Sequence, residues 1–533
     1  MIAATLAAVV VLLLSTRWGL ATSSDSARYV RTARNVYGSA QVQDDGEPKH
    51  EQAHFPPFYP IVLATGAKLT WSDPVGSAHW LHVLIFAGNV LLTGIIVRRS
   101  GGATAVNAGA ALLAAFLVAL APASIYIHAW LLSEPLFIFL SLVTILLLGL
   151  HLERPRWRLL IGAAICASLG VMTRYAGAAI APAAVLALLL IPGHRAGRRR
   201  VLDAAIFSAI FLLLPAINMA RNVGVGGSAT NRTLAFHPLT AEHVKDAIAV
   251  IASWASAIGV DSPRDVANAH PFFAFVGVML AAAVVIRGAN IAWRQRETSL
   301  GRLCAITLLY LVSFAALLAF SISFVDFHTP ADQRVLSPMY FAWLILTACV
   351  ATSLASSMTT RSLRTVAEVA CVVIAMALML PSIPLGLRLY HFGDGFAHAQ
   401  WRRSPTIAAV NELPPELEIF TNAPGAVYLL TGRQVILTIP SEISSSSRLP
   451  NPDYPQLMER IRAELRAGRG VVVYLKRYGQ KRAFYPTEQE LKKRLGLHPL
   501  VRRADGAIYD FVAPSTVAAT TSAATAPDGA DSP

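Results

Sequence analysis

Eleven stretches of this 533-residue chain are apolar over close to the length of a membrane crossing: 2–21, 77–97, 103–124, 131–151, 159–173, 175–192, 201–220, 272–290, 303–323, 335–356 and 365–387. A hydrocarbon core about 30 Å thick asks for about 20 apolar residues of helix. Within it every backbone polar group must be satisfied inside its own helix or barrel. The sequence therefore predicts an α-helical polytopic membrane protein with about eleven transmembrane helices. Composition agrees, with 55% hydrophobic and only 14% charged residues, a balance foreign to soluble domains. The opening run "MIAATLAAVVVLLL" has no basic start and reads as a retained first helix rather than a signal peptide.

Charge orients these helices. The formal net charge is +14, and the basic clusters are "RR" at 98–99, "ERPRWR" at 153–158, "HRAGRRR" at 194–200, "RGANIAWRQR" at 287–296 and "RSLR" at 361–364. Positive loops stay in the cytoplasm, so an even number of crossings separates 153–158 from 194–200. "TRY" at 173–175 then becomes a tight outer turn between two short helices. The same reasoning puts the N-terminus inside, residues 22–76 in an outer loop, and everything after about residue 388 outside. Orientation accounts for the basic excess, and no nucleic-acid partner is implied. Cys166, Cys304, Cys349 and Cys371 lie in apolar runs without metal-ligand spacing and read as packing residues.

After residue 388 the apolar runs shrink to strand length: "LEIF", "QVILTI", "VVVYL" and "AIYDFV". They alternate with helical patterns such as "YPQLMERIRAELRAG". The expected domains are a membrane domain over 1–388 carrying the outer loop 22–76, a small extracytoplasmic α/β domain over 389–514, and a disordered low-complexity tail over 515–533.

Ionisable groups are costly at membrane depth and mark functional cavities. At the expected outer helix ends stand Asp25, Arg28, His54, Tyr59, His128, Glu134, Arg174, Tyr175, Arg221, Asn222, Arg232, Asp326, His328, Asp332 and Arg334. Acids and arginines together at an interface suit a lipid-borne phosphate, held by arginine forks beside a carboxylate able to take a proton. Each residue also has a plainer reading. Glu134 before Pro135 complements a helix dipole. Arg174 snorkels, Arg221 and Asn222 mark a helix exit, and Asp332 pairs with Arg334 to hold a loop. "HEQAH" at 50–54 matches a zinc-protease pattern, but Pro48, Pro56 and Pro57 leave no room for the helix that such a site needs.

In their order along the chain, "DSARYVRTARN", "HFPPFYP", "SEPLF", "TRYAG", "RN…G" and "DQRVLSP" resemble the GT-C superfamily of membrane glycosyltransferases, in particular bacterial relatives of protein O-mannosyltransferases and aminoarabinose transferases. The resemblance covers about residues 1–345. It implies transfer of a sugar from a polyprenyl-phosphate-linked donor, at the outer face of the cytoplasmic membrane, to a glycan, lipid or protein acceptor. It gives Asp25 the role of catalytic base and Glu134 that of a second acid. Arg174 and Arg334 would face the lipid phosphate, with Arg28, His54, Tyr59, Tyr175 and Arg221 as further substrate-binding candidates. Where the mannosyltransferases often show two adjacent acids in the first loop, Asp25 is followed by Ser26, so a divalent cation at Asp25 and Glu134 stays open. Two other classes bear on the same residues. A transporter would carry polar groups through the bilayer, and a non-catalytic assembly subunit gives no reason for Asp25 and Glu134.

Overall fold

The computed structural model describes residues 1–37, 55–101, 104–192, 197–226, 228–230, 234–255, 268, 270–327, 329–433, 436–443, 449–476 and 486–511. Among the sequence candidates, residues 50–54, Arg232 and His328 lie outside these ranges. The chain divides into two compact units between His398 and Ala399.

The first unit is helical. In chain order it holds α1 (Ile2–Ser15), α2 (Ser24–Tyr37), α3 (Phe58–Thr70), α4 (Pro74–Ser100), α5 (Ala105–Leu120), α6 (Pro122–His128), α7 (Glu134–Glu153), α8 (Trp157–Thr173), a 3₁₀ turn (Tyr175–Ala179), α9 (Ile180–Leu190), α10 (Gly197–Gly226), α11 (Ala241–Trp254), α12 (Pro271–Arg294), α13 (Ser299–Phe320), α14 (Gln333–Ser357), α15 (Arg361–Met379) and α16 (Ser382–Phe392). Among the described residues, seven helices are long and apolar enough to cross a membrane, eight if α5 and α6, bent by 54°, form one broken span. The expectation of about eleven full-length crossings is thus met only in part. Three of the apolar segments are shorter helices, Ile2–Ser15, Trp157–Thr173 and Tyr175–Leu190. The 14 residues of α1 rise only about 21 Å. The outer loop expected over 22–76 contains two helices, α2 and α3.

The helix boundaries follow local chemistry. Asp73 accepts from the Val75 N–H at 2.9 Å and Pro74 occupies the first turn, so α4 begins there. The α5–α6 break falls at Ala121–Pro122, where the imino nitrogen cannot continue the helical ladder. The apolar stretch of α14 is mostly buried, whereas that of Arg361–Phe392 is mostly exposed. α14 is therefore the central helix of the unit and α15–α16 peripheral ones.

The second unit is a five-stranded mixed sheet in the order β2-β1-β3-β5-β4, with β1 Glu418–Thr421, β2 Ile436–Thr438, β3 Gly470–Leu475, β4 His498–Arg503 and β5 Gly506–Asp510. β1 pairs in parallel with β2 and β3, while β5 runs antiparallel to β3 and β4. Met458, Ile461 and Leu465 of the helix Tyr454–Arg466, together with Leu491 and Leu495, pack on Phe420, Val472 and Tyr509 of the sheet. Every residue of β3 is buried, as a central strand requires.

Candidate functional site: two acids bridged by arginine

The chain leaves α1 and is stitched at once to the segment before α7. The Ala21 N–H donates to Ala129 O and the Leu131 N–H to Ala21 O, each at 2.8 Å. On the other side the Phe396 N–H donates to Thr22 O at 2.9 Å. Gly395 makes this possible: its φ is +54°, and a Cβ there would stand 2.2 Å from Thr22 O. α2 is then pinned against residues 131–133. Ser26 Oγ donates to Leu131 O at 2.7 Å, and the Tyr29 hydroxyl meets Ser133 Oγ at 3.0 Å. These contacts set Asp25, in the first turn of α2, beside Glu134, in the first turn of α7.

Arg334, in the first turn of α14, joins the two acids. Its Nε donates to Glu134 Oε1 at 2.5 Å and its Nη2 to Asp25 Oδ2 at 2.6 Å. Arg174 approaches the same Glu134 oxygen with Nη1 at 2.8 Å and reaches Ser133 Oγ at 3.1 Å. Arg174 stands in extended conformation between α8 and the 3₁₀ turn. The hairpin can close this tightly because Gly177 lies against Gly170, where a Cβ would come within 2.5 Å of backbone. Glu134 is 1% exposed, Asp25 24%. Among the described residues, Glu134 Oε2 has no hydrogen-bond partner, so the acid keeps a buried acceptor free for a ligand donor.

Burial pushes the Asp25 carboxyl pKa up, but the charge and hydrogen bond of Arg334, helped by Arg28 and Arg174, outweigh it and hold the group below the usual carboxylate range. Tyr29 is pushed up to about 12 by burial, with the Asp25 and Glu134 charges adding to it and Arg174 opposing.

Asp332 does not pair with Arg334 as the plainer sequence reading expects. It caps α14, accepting from the Val335 N–H at 2.9 Å, which leaves the guanidinium for the two acids. Pro338 lies inside the helix and has no N–H for the Arg334 carbonyl four residues back. The Ser337 hydroxyl donates to that carbonyl at 2.7 Å instead.

Tyr175 and Arg174 line a cavity of about 360 Å³ with Tyr29, Phe55, Phe314 and Leu317. Arg28 lies over the Phe55 ring, 5.9 Å from its centroid. Tyr59 is fully buried beneath Tyr29, edge-on at 5.0 Å, and bonds His82 Nε2 at 2.8 Å. His82 Nδ1 faces the His128 carbonyl at 3.1 Å and must donate to it, so Nε2 accepts from the Tyr59 hydroxyl. His128 donates from Nδ1 to Ser124 O at 2.7 Å and bonds Asn89 Nδ2 through Nε2 at 3.0 Å. Arg221 is exposed on α10 away from these contacts, and its neighbour Asn222 is buried, donating to Ala229 O at 2.9 Å. Sequence reasoning missed Tyr29, His82, Asn89 and Ser133. A signal for two of them existed: His82 and Asn89, seven residues apart in an apolar run, share one helix face.

Among the described residues no group of three or more His, Cys, Asp or Glu side chains comes together. Between Asp25 and Glu134 stands the Arg334 guanidinium.

The sequence matches no family model and no curated protein. The fold matches solved structures. ArnT from Cupriavidus metallidurans bound to undecaprenyl phosphate aligns with a TM-score of 0.57 at 13% identity, covering 96% of this chain and 98% of that one. The oligosaccharyltransferase AglB from Archaeoglobus fulgidus, in complex with an inhibitory peptide and a dolichol-phosphate, aligns with a TM-score of 0.55 at 12% identity, covering 88% and 69%.

Proposed function

From a chain that shares the fold of the GT-C glycosyltransferases ArnT and AglB over most of its length, we propose an integral membrane glycosyltransferase. It moves a sugar from a polyprenyl-phosphate-linked donor to a hydroxyl of a glycan, lipid or protein acceptor. The observation that carries this reading is the convergence of Asp25, Glu134, Arg174 and Arg334, four residues from four helix ends, beside a largely apolar cavity. The membrane topology proposed with it has eleven crossings, the N-terminus inside, and both the acid cluster and residues 389–514 on the outer face of the cytoplasmic membrane.

In this scheme the donor phosphate draws the guanidinium groups of Arg174 and Arg334 toward itself. Asp25, relieved of Arg334, becomes a stronger base as the donor binds. The acceptor O–H gives its proton to Asp25 while its oxygen bonds to the anomeric carbon. The bond from that carbon to the phosphate oxygen breaks, and the electron pair leaves on the phosphate, where arginine charge stabilises it. Attack opposite the leaving group inverts the anomeric centre. Glu134 holds the arginines and offers Oε2 to a hydroxyl of the sugar or acceptor. The cavity beside Arg174 suits the first isoprene units.

The test is turnover per folded molecule with purified protein and a polyprenyl-phosphate sugar, read as release of polyprenyl phosphate. Asp25→Asn keeps size and hydrogen bonding but removes the base, and is expected to lose about a hundredfold or more while still binding donor. Near-normal turnover in this variant would remove Asp25 from the reaction.

A further inference from the structure

A second polar recess lies at the other end of α14. Arg334 and Ser353 are 19 residues apart on this helix, about 28 Å along its axis, close to the thickness of a hydrocarbon core. The recess, of about 650 Å³, is formed by the last turns of α4, α12 and α14 and the first turn of α13. Arg287, Asn290 and Arg294 of α12 line it together with Ser353 and Ser356 of α14 and Ser299 of α13. No acid lines it. Neither Arg287 nor Arg294 has an ionic, hydrogen-bonding or aromatic partner among the described residues.

The backbone adds to the same field. Thr298 caps α13 by accepting from the Gly301 N–H at 3.1 Å. The N–H groups of Ser299 and Leu300, both at the recess wall, have no acceptor among the described residues. They are the positive end of a 22-residue helix. The turn joining α12 to α13 is folded so closely that a Cβ at Gly301 would stand 2.1 Å from Gln295 O. That turn holds the helix start against the two arginines.

We infer that this recess is a phosphate-binding site, occupied by the headgroup phosphate of an anionic lipid or by a soluble phosphate ester. Two guanidinium forks, free backbone donors and hydroxyls, with no competing carboxylate, match a phosphate's several acceptor oxygens. Arginines that only mark membrane orientation need no such recess, and any equal set of charges would serve as well. The inference does not rest on the transfer reaction.

The experiment uses the full chain in detergent. The probes are dioleoyl phosphatidylglycerol, dioleoyl phosphatidylcholine with the same acyl chains, and inorganic phosphate. Binding is read by native mass spectrometry and by the shift in thermal unfolding. The wild type is expected to prefer phosphatidylglycerol over phosphatidylcholine by about tenfold or more. Arg287→Gln with Arg294→Gln should abolish that preference. Arg198→Gln with Arg199→Gln removes the same charge from the exposed start of α10 and should leave the preference intact. Arg287→Lys with Arg294→Lys keeps the charge but loses the forks and should fall between. If inorganic phosphate stabilises the wild type but not the Arg287/Arg294 glutamine variant, and the lipid preference is absent, the occupant is a soluble phosphate ester. Equal loss in the α10 control, or a wild type indifferent to both anionic probes, would overturn the site.

Discussion

Arg334 is the residue on which the acid cluster turns. One guanidinium bonds both carboxylates, and the Asp25 pKa is depressed because of it. The sign of the resulting pH dependence follows. A carboxylate with a lowered folded-state pKa contributes its ion pair above the unfolded value, about 3.9, and loses it as pH falls through the lower folded value. Without Arg334 the main influence opposing burial is gone, and only the weaker charges of Arg28 and Arg174 still hold the Asp25 pKa down, so it rises. Arg334→Gln is therefore expected to move the acidic limb of the pH–rate profile to higher pH, besides weakening donor binding. An unmoved limb would separate Asp25 titration from catalysis. The residue types of this cluster were legible in the sequence, because acids and arginines at apolar helix ends demand a reason. Their pairing was not. Asp25 and Arg334 are 309 residues apart, and adjacency in sequence favoured Asp332, which caps its own helix instead.

At the level of elements, the short crossing between Thr22 and Gly395 holds the start of α2 in place. Gly395→Ala puts a Cβ against Thr22 O at a positive φ. The expected cost is about 2 kcal/mol or more, combining backbone strain with the clash. Thermal unfolding should register it, and turnover should fall as Asp25 loses its anchor. Strands of the second unit were legible where apolar residues ran together, as in "VVVYL". The edge strand His498–Arg503 was not, because it is mostly exposed and carries a proline and two arginines in place of apolar alternation. α2 was legible, since the stretch carrying Arg28, Arg31 and Arg34 beside Asp25 already reads as helical. α3 was hidden for a related reason: it lies in the expected outer loop, where no length rule for crossings applies.

For the whole molecule, the apolar segments were legible because the hydrocarbon core sets their length, while the broken α5–α6 pair and the three short helices show the limit of that rule. Reporter fusions after residues 99, 197 and 400 are expected to read inside, inside and outside. An inside reading at 400 would put the acid cluster on the wrong membrane face for the proposed reaction. One helix, α14, runs from that cluster to the second recess, and Pro338 interrupts its ladder just past Arg334. The helix is therefore expected to behave as a stiff strut ending in a soft joint. With compliance concentrated in that turn, the guanidinium would make the proposed exchange of carboxylate for phosphate by flexing it, without sliding the strut. Hydrogen exchange should find residues 335–337 opening well before 340–349, and equal protection along the helix would contradict it. In the proposed scheme, a strut that stays still would insulate its two ends mechanically: the strain of each transfer would be spent where it arises.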